Sequence, residues 1–399
     1  MTIKNNKQPG AVSLFVVVFA ALLITIVTVS FVRIMIQNQQ QASTTDLSQS
    51  AYDSAQAGVE DAKRALLRYQ SICNEDSTKC EEGDNDQKLI NSTTCNEAVD
   101  QLSDIDLSGD EVKVQTGGTN ALDQAYTCVK INLNTVDYLG MLSANESKIV
   151  PLFGVSSFDT VQIQWFSSKD VSSDKNFVVD LQPGSSTNWP LLSQNSWVSN
   201  RPSILRTQLI QVGNSFTLGD FDNTVSVDGD TQSNANTLFL YPSGSTGVAN
   251  STIDAPKVFV GRDIRRTQTR EPLPVTCSGN LSAGGYACTV RLTLPTPIGA
   301  GDRTSFLRLS ALYNKTNYRV TLWNMADLVG TSVKFNAVQP EIDSTGRAND
   351  LFRRVQTRVE LIDVNFPYPE ATVVETTGDF CKDFMITDQE ADYKNNCTP

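Results

Sequence analysis

Histidine is absent from all 399 residues. That absence removes the commonest general base, the usual Ser-His-Asp triads and the histidine-based metalloprotease motifs. Serine–lysine chemistry has one local match, Ser172-Ser-Asp-Lys175, which fits S-x-x-K. It lies in a polar stretch, and the S-D-N and K-T-G partners of that chemistry are missing. There is no GxSxG and no Walker-type glycine loop. The 44 acidic residues contain many carboxylate pairs, and none stands apart as the acid and base of a glycosidase. The chain therefore reads as a non-enzyme, with an anchored carboxylate hydrolase as the remaining catalytic alternative.

Oxygen ligands for a hard cation are better represented. Asp220, Asp222, Asn223, Asp228 and Asp230 crowd into eleven residues. Asp84 and Asp86 follow Glu81 and Glu82, and Asp388, Glu390 and Asp392 form a third group. Calcium accepts six to eight such ligands, so it is the one cofactor these residues point to. None of the groups has the glycine and terminal glutamate of an EF-hand, and Asp, Asn and Gly also make ordinary turns. The eight cysteines lack a CxxC spacing, which with the missing histidine argues against zinc. Their even number in an exported chain favours disulfides. Proximity pairs Cys73 with Cys80, Cys95 with Cys128, Cys277 with Cys288 and Cys381 with Cys397, among 105 possible connectivities. Each such loop closure stabilises by roughly 3 kcal/mol in the chain-entropy model.

Two recognition candidates remain, Trp189 and Trp197, in a stretch rich in Pro, Ser and Asn. Exposed aromatic rings anchor partners, although burial between two subdomains explains them as well. Arg262, Arg265, Arg266 and Arg270 make a basic cluster, a docking patch or a solvated edge strand. The formal net charge of −12 argues against nucleic acid as a partner.

The elements that position these residues begin with an uncharged run of 22 residues, Ala11 to Val32. As a helix it is roughly 33 Å long, enough to cross a bilayer. The leader before it carries Lys4 and Lys7, which predicts a cytoplasmic N-terminus and an exported remainder. Leu47, Ala51, Ala55, Val59, Ala62 and Leu66 continue one helical face, with Gly58 the only glycine between Gln37 and Tyr69 and no proline. The expectation is a single helix of order 90 Å, apolar all round over 11–35 and amphipathic over 36–70. A secretory signal (Phe19-Ala20-Ala21 is a weak cleavage candidate), a plain signal-anchor and a prepilin leader all compete for this segment.

A basic leader ending in Gly10, immediate entry into an apolar helix and an amphipathic continuation resemble type IV pilins and their pseudopilin relatives. The segment Ala51-Tyr-Asp-Ser-Ala-Gln-Ala-Gly-Val-Glu-Asp-Ala62 is similar to the N-terminal region of PilX-type minor pilins. The resemblance covers about residues 5 to 67, and 342–361 carry a weaker echo of large pilin-like proteins. It implies cleavage by a prepilin peptidase between Gly10 and Ala11, which takes the formal charge from −12 to −14 by removing Lys4 and Lys7. It also implies passage from the inner membrane into an extracellular filament of other pilin subunits, and a C-terminal disulfide loop bordering a recognition surface. One departure matters. Most major pilins carry glutamate at the fifth mature position, to pair with the amine of an adjoining subunit, and this chain has Phe15 there. Such an absence is shared by minor subunits at a filament tip, and it also fits a protein that never polymerises.

Past Tyr69 strand-like runs dominate: Val161–Phe166, Ile204–Val212, Thr237–Tyr241, Val258–Val260, Cys288–Leu294, Phe306–Tyr313, Tyr318–Trp323 and Val355–Ile362. Cys95–Leu102 reads as one short helix. The expected class is α+β, a long N-terminal helix packed on a mainly antiparallel head with an inserted or second β subdomain. The expected divisions are a leader over 1–10, the two helix halves, and β-rich parts over 71–190 and 191–399, with the seam at Gln182–Pro202.

Overall fold

The computed structural model describes residues 10–80, 83–103, 105, 107, 109–114, 123–171, 178–181, 194–212, 235–244, 272–279, 281, 285–325 and 330–361. The chain divides into two compact units. One comprises residues 1–132 and 341–358, and the other 133–340 and 359–399. In chain order the second unit is thus inserted between two strands of the first. The division falls at 132/133 and 340/341, not at position 190, because distant strand pairing rather than a linker composition sets it.

The first unit is organised by helix α1, Gly10–Glu75, one unbroken element of 66 residues and about 100 Å. It outruns the expected end at 70. Cys73 is bonded to Cys80 in the 3-10 turn that follows, and the Asp76 carboxylate accepts from the Thr78 hydroxyl and amide to shape that turn. Thr78 holds the Asp76 carboxyl below its ordinary range. Two short helices follow, α2 (Asn85–Ile90) and α3 (Glu97–Ser103). Asp84 is the N-cap of α2, its side chain accepting from the Asp86 amide, so here an acidic pair serves a helix start.

Among its described residues the unit also has four antiparallel strands, in the order β1 (Val112–Lys113), β2 (Gln124–Asn132), β13 (Glu341–Ala348) and β14 (Leu351–Arg358). Burial alternates along β13, with Ile342, Ser344, Gly346 and Ala348 turned inward, as a half-buried strand requires. The β13–β14 hairpin pairs Ala348 with Leu351 across Asn349 and Asp350. The expected strand at Val355–Ile362 is therefore displaced by four residues. Its start contains Arg353 and Arg354, whose charge hides an edge strand from an apolar pattern.

Among the described residues the second unit has two five-stranded sheets. One runs β4 (Ser147–Pro151), β10 (Ser305–Leu312), β6 (Ile204–Gln211), β7 (Ala235–Ser243), β8 (Leu273–Thr276), antiparallel except for the parallel β7–β8 pair. The other runs β12 (Thr331–Val333), β11 (Thr316–Asn324), β5 (Phe158–Ser167), β9 (Tyr286–Ile298), with β3 (Tyr138–Leu142) also on β11. Leu205, Leu209 and Leu307 of the first sheet share one apolar core with Ile163, Val290 and Val320 of the second. Cys277 and Cys288 are bonded within it. The Gln339 carboxamide accepts from the Leu139 amide at 2.9 Å and donates to the Leu139 carbonyl at 2.8 Å, serving the backbone of β3 as a strand would.

Candidate functional site

The residues that set this chain apart chemically are on α1. Between Leu14 and Ile36, 17 large apolar side chains are exposed, Phe15 at 70% and Val32 at 48%. Helix α1 is long and apolar enough to cross a membrane. Leu14 to Ile36 alone extends about 34 Å along the axis, against a hydrocarbon layer of about 30 Å. Its hydroxyls are satisfied within the helix: Thr25, Thr28 and Ser30 donate to the carbonyls of Leu22, Ile24 and Ile26 at 2.8, 2.7 and 2.8 Å. None of those three hydroxyls then asks for water, and the one charged side chain of the stretch, Arg33, stands near its end. Each large side chain gains about 1.5–3 kcal/mol on leaving water, so this surface demands a partner. The Phe15 ring lies tilted against Phe19 one turn on, with centroids 6.0 Å apart. The fifth position counted from Ala11 is thus one more exposed apolar ring. Gly10 and Ala11 lie in the first turn of the helix, and the leader before them is outside the described residues.

The other half of the helix is committed to its own sheet. Ala51, Ala55, Val59, Ala62 and Leu66 are buried, as their spacing predicts, and Leu47 is half-buried. Ser54, Ala65 and Tyr69 widen the stripe. α1 packs across β2, β13 and β14 and against α3. The approach is so close that backbone touches backbone. A Cβ on Gly346 would lie 2.2 Å from the Ala51 carbonyl oxygen and 2.2 Å from the Ala55 nitrogen. From the helix side, a Cβ on Gly58 would meet the Ser344 hydroxyl at 2.5 Å and a Val129 methyl at 2.8 Å. Ser344 donates to the Ala55 carbonyl at 2.8 Å, and Tyr126 donates to the Asp61 carboxylate at 2.9 Å. Burial and that carboxylate push the Tyr126 phenol far above its ordinary range, so it remains a donor.

A polar knot fixes α3 to β2. Cys95 is bonded to Cys128, and the next residue, Asn96, is almost fully buried with φ of 64°. Its carboxamide donates to the carbonyls of Asp110 and Thr127 and accepts from the Val129 amide at 2.8 Å. Asn tolerates the left-handed region that this turn needs. On the outer face of the sheet, Arg347 bridges Glu111 at 2.6 Å and Asp123 at 2.8 Å. The glycine contacts and the Asn96 knot lay beyond residue patterning. Their only sequence signals are a lone glycine within an amphipathic helix and an Asn beside a cysteine.

The remaining candidates divide cleanly. Trp197 is buried with Ile204, Phe239 and Tyr241 inside the second unit, under the Arg201 guanidinium, and its indole donates to the Pro202 carbonyl. It is a packing residue there, not a surface anchor. Trp189, the cluster Asp220, Asp222, Asn223, Asp228 and Asp230, the Arg262–Arg270 group, Ser172–Lys175 and the Cys381–Cys397 pair lie outside the described residues. Among the described residues no group of three or more acidic or cysteine side chains converges as a metal site. No family model matches the chain, and neither a curated protein nor a solved structure matches it.

Proposed function

We propose that this protein is a minor-pilin-like subunit of a type IV pilus-like filament, held in the cytoplasmic membrane before assembly and displaying its β-rich part outside. The observation that carries the reading is the division of labour along α1. One half has a complete ring of uncovered apolar side chains, and the other is locked to its own sheet. In lipid the first half satisfies every backbone group internally. On assembly it exchanges lipid for the same segment of neighbouring subunits, with Gly10–Ala11 as the processing point and prepilin peptidase as the enzyme. Phe15 in place of a carboxylate removes the charge that would have to be paired inside an apolar filament core, which suits a subunit at the tip. The disulfides Cys73–Cys80, Cys95–Cys128 and Cys277–Cys288 fit an oxidising, extracellular address. Its work is assembly, display and adhesion, without catalysis.

Filaments sheared from the native cell surface, analysed for N-terminus and intact mass, test this. The expected result is a mature chain that begins at Ala11 in the sheared fraction. A chain retaining Met1 and confined to the membrane would overturn assembly and leave a non-polymerising anchored adhesin or sensor.

A further inference from the structure

In the second unit, a cavity of about 330 Å³ opens at one end of the sheet formed by β3, β11, β5 and β9. Its lining includes Leu139 and Gly140 of β3, Lys169 from the turn after β5, Tyr286 of β9, and Asn317 and Tyr318 of β11. The frame is rigid. Asp170, buried at the turn, accepts from the Ser167 amide at 2.7 Å, the Asn317 amide at 2.9 Å and the Asn317 side-chain amide at 2.6 Å. That bond uses one of the two Asn317 side-chain N–H donors, holds the carboxamide in place and leaves its oxygen as an acceptor. Gly140 lets the Tyr318 ring lie against β3, since a Cβ there would stand 2.4 Å from the ring. Tyr138 stacks behind Tyr318 at 6.3 Å and donates to Glu360, which fixes that wall from the rear.

Two groups at this cavity are unspent. The Tyr286 hydroxyl has no hydrogen-bond partner among the described residues. Burial raises its pKa, with the nearby Arg319 opposing and Asp137 and Asp170 reinforcing, so it is protonated and able to donate. The Lys169 ammonium, exposed at the mouth, has no carboxylate partner among the described residues. The volume is at the small end for ligand sites, enough for one ring and too small for an extended peptide. Phenol faces take the C–H side of a ring, the hydroxyl and carboxamide oxygen take its hydroxyls, and an ammonium takes an anion. We propose that this cavity binds a sugar ring bearing a carboxylate, the acidic unit of a surface glycan.

The inference rests on the reading that this unit is displayed outside the cell. Its test needs neither leader cleavage nor a filament, so the two fail separately. The full chain in detergent micelles is titrated with methyl glucuronide and with methyl glucoside, and saturable binding is read by ligand NMR. The glucuronide is expected to bind at least about tenfold more tightly than the glucoside, a gap of one ion-pair-sized increment. Lys169→Ala, at an exposed site that leaves the fold intact, should abolish that preference. Tyr286→Phe should weaken both sugars, and Tyr286→Ala should remove them. Equal binding of the two sugars, binding indifferent to Lys169→Ala, or no saturable binding up to the solubility limit would each overturn the assignment.

Discussion

Two stretches of one helix solve opposite problems. Leu14 to Ile36 presents Phe, Leu, Ile and Val in every direction, whereas Ala51 to Tyr69 buries mostly Ala, Ser and Gly along one stripe. Bulk suits a partner that is fluid or arrives from another chain, because large side chains gain most on leaving water whatever the register. Small side chains suit a partner that is fixed in the same chain, because they let a strand backbone reach the helix backbone. Gly346 against Ala51 and Ala55 is the extreme of that approach. The difference teaches where the molecule is specified and where it is merely apolar: the docked half tolerates almost no added atoms, and the uncovered half tolerates exchange of one apolar residue for another.

That contrast can be broken from either side. The largest effect is expected at Gly346→Ala, where the new Cβ meets backbone that cannot rotate away; thermal unfolding of the full chain in detergent should register a loss of about 3 kcal/mol or more. Val18→Leu in the uncovered half should leave the same transition in place. Leu23→Arg attacks the other side. A charge near the middle of a span costs about 3 kcal/mol on insertion, so membrane fractionation should show the variant partly released while its disulfides still form.

Asn96→Ala sharpens the docked half, since it leaves the buried Val129 amide without an acceptor; about 2 kcal/mol of stability and the exchange protection of that amide should be lost. Ser344→Ala removes a single bond to a helix carbonyl, and chemical denaturation should report about 1 kcal/mol. The smallest effect is electrostatic. The Arg347 guanidinium holds the exposed Asp123 carboxyl below its ordinary range, first by hydrogen bonding and then by charge. That contribution is complete above the carboxyl's unfolded value of about 4 and fades as pH falls through its lower folded value. Asp123→Asn should therefore lower stability slightly at neutral pH, leave it unchanged in strong acid, and so flatten the acid limb of the stability profile.

Much of the helix was legible beforehand, because its signal is local. An uncharged run and a stripe spaced by threes and fours need only neighbouring residues, and Leu47, half-buried where the stripe begins, marks how far the sheet reaches. Strands with alternating or continuous apolar character, such as Val161–Phe166 within β5, were legible for the same reason. Cysteine proximity located three bonded pairs. What sequence did not disclose depends on residues far apart in the chain. The pairing of β2 with β13 defines the first unit, yet nothing near Gln124 or Ala348 encodes its partner. Arg353 and Arg354 concealed the start of an edge strand. Asp84 and Asp86 read as calcium ligands because a helix cap and a cation site ask for the same oxygens. In the second unit, the cavity beside Tyr286 and Asn317 was invisible because it gathers residues from β3, β9, β11 and the turn after β5.

The central claim is that the uncovered half of α1 is met by another polypeptide while the docked half is met only within its own chain. Site-specific photo-crosslinking in living cells tests it most directly, with a benzophenone side chain at Phe19 and, as the comparison, at exposed Leu67 on the docked half. The account predicts that the Phe19 probe couples to other filament subunits in the sheared surface fraction, and that the Leu67 probe gives no helix-to-helix product. Lipid adducts alone at Phe19, with no polypeptide product in any fraction, would contradict it.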